Sequence, residues 1–245
     1  VLSCGLPDHG AGGSAQRGVE GVTGYLVKPI NEEMVRAALS QVDLQSIDDR
    51  ERVTRHDVKA RIEEFNALAG FEQIHKGMTS RDLTENVVQR WIRCGLELVR
   101  DRAAACLDLI GQRAAEYCEL AMAGRSHNVP AQITTMGKRF ANVAEEMLVA
   151  FDGLDALIHR LPLRGIKGPV GTQQDMLDLL HGDADKLQAL DERIAEILGF
   201  ETWFDSVGQV YPRSLDFEVV TMLAQLSSAP ANFARTLRLM AGAEL

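Results

Sequence analysis

The feature that most limits the possible folds is a long amphipathic helical pattern. Apolar residues such as Val87 and Trp91 recur at three- and four-residue intervals from Leu83 to Ala123. This spacing places them on one face of a helix, and such a face is stable only when other helices cover it. The pattern is longer than the ~8–20 residues of an ordinary globular helix. The sequence therefore predicts a bundle of long helices, and it favours one that continues into other copies of the chain.

Other helices are predicted on both sides of this pattern. Upstream, Val58, Ile62 and Phe65 share one face of a charged segment that begins near His56. Downstream, the predicted helices are Thr135–Leu161, Asp175–Leu198, Leu215–Leu226 and Ala231–Leu245, and the residues expected to end or interrupt them are Pro162, Gly199 and Pro230. The glycine-rich segment from Arg164 to Thr172 lacks the Gly-Lys-Ser/Thr ending of a phosphate-binding loop. It is equally typical of a connection between helices.

A dense polar stretch, Gly124 to Phe140, separates the two longest helical patterns. It contains His127, two amides, three hydroxyl groups and three cations around Pro130, which a helix interior does not tolerate. Burying these polar groups without partners would cost about 1–3 kcal/mol each. We therefore expect them to meet solvent, a ligand or one another, and the stretch is a candidate site.

A second polar segment precedes the longest helix. Thr79 or Ser80, together with Asp82, can cap that helix. Capping does not explain His75 and Lys76 beside them, and a helix N-terminus favours an anion such as a carboxylate or phosphate. His56, at the start of its own helix, is typical of a cap or surface residue, and a functional role stays open.

Composition excludes several classes of protein. The net charge of −9 and a pI near 5.2 argue against a general nucleic-acid or anionic-membrane surface. No apolar run reaches the ~18–20 residues of a membrane span, so a cytoplasmic protein is expected. The four cysteines show no Cys-x-x-Cys spacing. Those within the helical patterns, Cys94, Cys106 and Cys118, are predicted to be buried free thiols.

The first 42 residues differ from the rest of the chain. Tyr25-Leu26-Val27 reads as a short strand that ends at Lys28-Pro29, and an acidic cap and a helix from Met34 to Val42 follow. This order resembles the C-terminal end of a response-regulator receiver domain, in which the lysine contacts a phosphorylated aspartate. The part that would carry the aspartate is absent, so the segment is interpreted as a remnant or junction. The predicted domains are residues 1–42, 43–82 and 83–245.

Five separated motifs together resemble the adenylosuccinate lyase family of the fumarase/aspartase superfamily. They are Thr54–Val58, His75–Asp82, Gly124–His127, Gly168–Thr172 and Gln209–Arg213. Agreement of five polar motifs in type, order and spacing is specific, whereas one alone is weak. The match runs from about Asp43 to Leu245.

The resemblance implies a mainly α fold, a truncated long-helix bundle of that superfamily, preceded by the short α/β receiver-like remnant. It also implies a homotetramer whose active sites draw on three subunits. The implied reaction releases fumarate from adenylosuccinate, or from the succinylocarboxamide ribotide, and needs no metal or cofactor. It requires a base for a carbon-bound proton and an acid for the departing nitrogen. The small-molecule substrate is then a purine nucleotide with a succinyl adduct, with no nucleic acid or membrane as partner.

The resemblance also implies roles for individual residues. His127 is the general acid, and His56 and His75 hold it or the substrate's phosphate and carboxylates. The implied substrate contacts are His75, Lys76, Thr79, Ser80, Asp82, Arg125, Ser126, Gln132, Thr134 and Lys138, with Gln209 and Arg213 contributed from another subunit.

The sequence departs from the family in two places. The receiver-like piece stands where the family has an Arg-Tyr segment for the nucleotide, and Leu245 precedes the Ser-Ser-x-Met-Pro-x-Lys-x-Asn loop that supplies the base serine. An inactive fragment is therefore expected. Two alternatives stay open: another fumarate-releasing lyase, such as argininosuccinate lyase, and a noncatalytic helical assembly module fused to a receiver remnant.

Overall fold

The protein is described by a computed structural model that covers residues 38–72, 74–127 and 129–242. These residues are mainly helical, which confirms the predicted fold class. Lys28 and nearly all of the receiver-like segment lie outside the described residues. The elements in chain order are α1 (Leu44–Thr54), α2 (Asp57–Ala69), α3 (Ser80–Glu116), β1 (Ala121–Ser126), β2 (Val129–Thr135), α4 (Met136–Arg160), β3 (Pro162–Leu163), α5 (Gln174–Leu179), α6 (Ala184–Leu198), β4 (Thr202–Trp203) and α7 (Ser214–Gly242).

The described residues group into two compact units. Unit 1 contains residues 38–88, 164–198 and 204–210, and unit 2 contains residues 89–163, 199–203 and 211–242. Each unit therefore combines segments that are far apart in sequence. The domain boundaries expected from the sequence stay predictions.

In unit 1, α1 and α2 pack against each other around a buried carboxylate. The side chain of Asp43 caps α1 by accepting from the N–H of Gln45 at 2.9 Å. Ile47 on α1 and Val58 and Ile62 on α2 are buried, as the spacing on α2 predicts. Glu64 is buried with them, and its Oε2 accepts from Ser46 Oγ at 2.5 Å and from Arg50 Nε at 3.0 Å. Apolar contacts and the hydrogen-bonded carboxylate of Glu64 thus join the two helices.

These contacts make the stability of unit 1 depend on pH. The hydrogen bond from Ser46, and then that from Arg50, lower the pKa of Glu64 below its ordinary value of 4.5. The stabilisation is therefore complete above about pH 4.5 and is lost as the pH falls through the lowered pKa. We expect Glu64→Gln to lower the free energy of unfolding at pH 7 by about 1–3 kcal/mol.

Urea unfolding at pH 7 and at pH 3 measures this difference. The gap between wild type and Glu64→Gln should shrink at pH 3. Glu63→Gln is the matched control, because Glu63 is more exposed and pairs with Lys59 only at 3.7 Å. A gap that stayed constant over this pH range would contradict the role assigned to the Glu64 carboxylate.

In unit 2, α4 packs against α7. The buried residues on α4 include Met147, Ala150 and Leu154, and those on α7 are Leu226 and Ala229. Gly153 on α4 allows the close approach, since a Cβ there would lie 2.9 Å from Met222 Cε. The predicted helix Thr135–Leu161 is confirmed, because Thr135 caps α4 and the helix ends before Pro162.

Unit 2 also shows that the longest helix ends earlier than predicted. The helix α3 ends at Glu116 rather than continuing to Ala123. The strands β1 and β2 form an antiparallel pair there instead, with Ala121 opposite Thr135. The N–H of Gly137 donates to Tyr117 O at 2.8 Å and that of Met136 donates to Leu120 O at 2.9 Å. The backbone groups after α3 are therefore satisfied by the start of α4, and the helical spacing of Tyr117 and Leu120 is coincidental.

Gly137 allows this junction to form. A Cβ at Gly137 would overlap Ala114 O and lie 2.7 Å from the N and Cα atoms of Cys118. Backbone atoms cannot move aside as flexible side chains do, so we expect Gly137→Ala to lower the free energy of unfolding by about 1–3 kcal/mol.

Thermal or urea unfolding tests this expectation. The control is Gly111→Ala in α3, where no atom lies within 4 Å of the added Cβ. That change should stabilise the helix by up to about 1 kcal/mol. Equal effects of the two substitutions would show that the junction tolerates a side chain.

Two other helix predictions are wrong in detail. The predicted helix Asp175–Leu198 is divided into α5 and α6, because His181 and Gly182 adopt left-handed φ values of 57° and 79° and Asp183 caps the next helix. Pro230 does not separate two helices but lies inside α7. A proline in a helix interior costs about 3 kcal/mol, and burial of Leu226 and Ala229 beside it offsets this cost.

The cysteine prediction is also wrong in part. Cys118 is exposed, and Cys94 and Cys106 are only half-buried, although all three are free thiols. Cys4 lies outside the described residues. Within the described ranges, none of the helices combines the length and the apolar character needed to cross a membrane.

Candidate active site

His127 lies in the connection of the unit 2 hairpin. The strand β1 ends at Ser126 and β2 begins at Val129. His127 has a left-handed φ of 53° and an exposed side chain. A non-glycine residue in this region is uncommon and is held there by its surroundings, here by the paired strands. The paired strands therefore hold the backbone of His127, and its imidazole is exposed to solvent.

The strand and helix after His127 carry three more predicted site residues. Gln132 is exposed and pairs with Gly124 across the hairpin. Thr134 is half-buried, and Lys138 is exposed on the first turn of α4, where Thr135 Oγ1 accepts its N–H at 3.1 Å. Lys138 Nζ donates to Asn142 Oδ1 at 3.3 Å. The hairpin and the start of α4 therefore display polar groups and a cation.

Arg125 and Ser126 complete the polar end of this hairpin. Both are exposed and lie just before His127, at a bulge between Gly124 and Arg125. A bulge commonly re-aims a side chain at the end of a strand pair. The predicted residues from Arg125 to Lys138 are thus brought together on one hairpin and one helix start in unit 2.

His56 lies in unit 1, where it caps α2. Its Nδ1 accepts from the N–H of Lys59 at 3.4 Å and is 3.5 Å from Asp57 Oδ1. The cap predicted from the sequence is confirmed.

His75 and Lys76 lie in the turn before α3. The Nε2 atom of His75 is buried and has no hydrogen-bond partner among the described residues. Lys76 lines a cavity of about 700 Å³. The other residues that line it are Gly77, Met78, Asp175, Asp178, Leu179 and His181. The buried nitrogen of His75 indicates a place where a further group can be bound, because unsatisfied buried polar atoms are costly.

Asp82 has a different environment from the one expected of a substrate contact. Its side chain is fully buried, and Oδ1 accepts from Arg164 and from the N–H groups of Lys167 at 2.9 Å and Gly168 at 3.1 Å. Its Oδ2 accepts from the N–H of Thr79 at 2.7 Å. These contacts use both oxygens, so we assign Asp82 to holding the glycine-rich loop. Thr79 and Ser80 form the start of α3, which agrees with the predicted capping.

Sequence reasoning missed most of this buried polar cluster. Asn86 exchanges two hydrogen bonds with the backbone of Gly165, at 2.9 and 3.0 Å. Lys167 Nζ lies 2.7 Å from Asp191 Oδ2, which also accepts from Gln173 Nε2 at 2.9 Å. Two buried ion pairs, Arg164–Asp82 and Lys167–Asp191, therefore hold this glycine-rich loop in place. Its tip, at Val170, is exposed.

Gln209 and Arg213 belong to different units. Gln209 is an exposed residue of unit 1. Arg213, in unit 2, lies over the ring of Tyr211 at 4.3 Å and is 3.7 Å from Asp216 Oδ2. Among the described residues, no group of three or more His, Cys, Asp or Glu side chains is arranged to hold a metal ion.

Curated proteins with similar sequences share one name. The chain is 32% identical over 225 residues to adenylosuccinate lyase of Saccharomyces cerevisiae, covering 90% of this chain and 46% of that protein. It is 33% identical over 218 residues to adenylosuccinate lyase of Schistosoma mansoni, covering 86% and 45%. The chain thus spans about half the length of the curated relatives it matches.

Two solved structures have a fold similar to that of this chain. A fumarate lyase from Mesorhizobium sp. BNC1 superposes with a TM-score of 0.70 at 21% identity, covering 86% of this chain and 49% of that one. The β-carboxy-cis,cis-muconate cycloisomerase of Acinetobacter calcoaceticus gives 0.66 at 19% identity, covering 85% and 48%. A family model described as lyase matches residues 28–244. The chain therefore belongs to this lyase family, within the fumarase/aspartase superfamily.

Proposed function

We propose that this chain carries part of the active site of an adenylosuccinate lyase, which releases fumarate from adenylosuccinate and from the succinylocarboxamide ribotide. The observation that carries the proposal is the position of His127, exposed in the hairpin connection with a left-handed backbone. An imidazole held in this way can give a proton to a departing nitrogen without a change in backbone conformation. The similarity to adenylosuccinate lyases of two organisms supports the choice of substrate.

The other histidines have supporting roles. His56, whose ring caps α2 through Nδ1, orients His127 or binds a substrate oxygen. The buried Nε2 of His75 would gain its missing partner from the substrate. The carbon-bound proton requires a base. The family's base serine lies in a loop that is not among residues 1–245.

The cations and amides bind the negative charges of the substrate. Its carboxylates and phosphate need cations or N–H groups in a site with little water. The groups proposed for this task are Lys76, Thr79, Ser80, Arg125, Ser126, Gln132, Thr134, Lys138, Gln209 and Arg213. Asp82 acts only through the loop that it holds.

The proposal includes a homotetramer in the cytoplasm, with active sites shared among three subunits and no cofactor. Large apolar side chains are exposed on the long helices, including Trp91 and Leu109 on α3 and Phe217 and Leu239 on α7. Single subunits of soluble proteins rarely expose so much apolar surface, so a second copy is the expected cover. This observation favours assembly over a monomeric module.

A mixing experiment with several substrates tests the proposed function. The chain is refolded together with the full-length lyase of S. cerevisiae in which the histidine aligned with His127 is replaced. Adenylosuccinate, the succinylocarboxamide ribotide and argininosuccinate are then supplied separately, and fumarate release is followed. Release from the first two alone supports the proposal. Release from argininosuccinate would identify a different fumarate-releasing lyase, and no release from mixed tetramers would favour a noncatalytic helical module.

A further inference from the structure

Unit 2 contains a groove of about 200 Å³ between α4 and α7, and none of the residues that line it is among those assigned to substrate binding. Polar and apolar side chains alternate along it. The lining residues are Met136, Arg139, Asn142, Val143 and Glu146 on α4 and Ala229, Asn232, Phe233, Thr236, Leu237 and Met240 on α7. A concave site with apolar walls and a few polar groups is the usual form of a small-molecule site.

Arg139 brings a positive charge to this groove. Its Nε atom is buried and has no hydrogen-bond partner within the described part of the chain. Neither do its other guanidinium nitrogens form an ion pair with any described carboxylate. A buried charged nitrogen without a partner is costly, whereas a carboxylate can pair with a guanidinium through two parallel hydrogen bonds. Arg139 is half-buried and lines the groove, so its guanidinium is suited to an anion bound there.

Neutral groups beside Arg139 add hydrogen-bonding capacity. Asn142 Oδ1 accepts from Lys138 Nζ at 3.3 Å, so the amide nitrogen of Asn142 remains able to donate. Asn232 and Thr236 line the same groove from α7. Three uncharged polar groups and one cation thus line one short groove.

The charges in the groove limit the class of anion. Glu146 lies seven residues after Arg139 on α4, about 10 Å along the helix, and its Oε1 accepts from Ser228 Oγ at 3.3 Å. A carboxylate at that end repels a second negative charge on a ligand. Phe233, Leu237 and Met240 instead offer apolar surface. The groove therefore suits one carboxylate on a compact apolar body.

We propose that the groove between α4 and α7 binds a small monocarboxylate, with Arg139 holding its carboxylate group. Benzoate is the probe, because it combines one carboxylate with a flat apolar ring. Its binding to the full 245-residue chain is measured by ligand-observed NMR titration, and benzyl alcohol serves as the uncharged counterpart. Benzoate should bind saturably, and benzyl alcohol should not compete at equal concentration.

Three substitutions separate the site from general charge effects. Arg139→Met keeps the apolar stem and removes the cation, so benzoate should bind roughly tenfold to a hundredfold more weakly. Arg238→Met is the matched control, since Arg238 is an exposed α7 arginine that does not line the groove. It should leave the affinity unchanged. Arg139→Lys, which keeps the charge but loses the planar fork, should give an intermediate affinity and guards against misfolding of the methionine variant.

Three results would overturn the proposal. One is the absence of saturable benzoate binding to the wild-type chain. Another is equal weakening by Arg139→Met and Arg238→Met, which would indicate attraction to positive charge in general. The third combines two observations: Arg139→Met sediments more slowly than the wild type, and the wild type does not bind benzoate. That result would make Arg139 a contact between copies of the chain.

Discussion

Asp82→Ala should lower the free energy of unfolding by about 3–5 kcal/mol, because it leaves the buried guanidinium of Arg164 without its carboxylate. The substitution also removes the acceptor of three backbone N–H groups, those of Thr79, Lys167 and Gly168. Each unsatisfied buried donor adds to the loss. The glycine-rich loop of unit 1 should therefore be the first part of the chain to lose its structure.

Urea unfolding measures this loss, with Asp49→Ala as the control. Asp49 pairs with Arg52 at 3.1 Å on an exposed face of α1, where removal should cost no more than about 0.5 kcal/mol. The double variant Asp82→Ala/Arg164→Met should lose less than the sum of the two single changes, since it leaves no uncompensated charge. A loss below 1 kcal/mol for Asp82→Ala, or strict additivity, would contradict the assigned role.

His127→Ala should reduce the fumarate release restored in mixed tetramers by about 10²–10⁴-fold, the usual contribution of a general acid or base. In the proposed mixed tetramers, the full-length partner would supply the base and this chain would supply the acid. Removing one member of a cooperating pair commonly loses most of the catalysis. The loss should fall on kcat, with the yield of mixed tetramers unchanged.

His159→Ala is the matched control for this prediction. His159 is another exposed histidine of unit 2, and its Nδ1 lies 2.6 Å from Glu201 Oε1. Its replacement should leave the restored rate within a factor of two or so, because surface changes rarely alter stability by more than about 0.5 kcal/mol. Comparable losses of the restored rate in the two variants would contradict the role of His127 as general acid.

The sequence predicted those parts of the fold whose signals are local. The helix α4 begins after Thr135 and ends before Pro162, because a side-chain cap and a proline act within a few residues. The cap formed by His56 is equally local. The division between α5 and α6 also has a local signal, because Gly182 adopts a left-handed φ after α5 and Asp183 caps α6.

The remaining features depend on partners that are distant in sequence. Asp82 and Arg164 are 82 positions apart, and only folding shows that they meet. The hairpin was not predicted because β1 and β2 are mostly exposed, so they carry little of the apolar signal of a buried strand. Pro230 remains inside α7 because its neighbours Leu226 and Ala229 are buried. In each case tertiary contacts outweigh the local preference.

The most direct test of the proposed lyase site is the initial rate of fumarate release from adenylosuccinate in three samples. They are this chain alone, the full-length relative lacking its aligned histidine, and the two refolded together. We predict activity in the mixture and background rates in each component, because acid and base then come from different chains. Robust release by the 245-residue chain alone would show that another of its residues serves as base. Background rates in a mixture shown to contain mixed tetramers would contradict the role of His127.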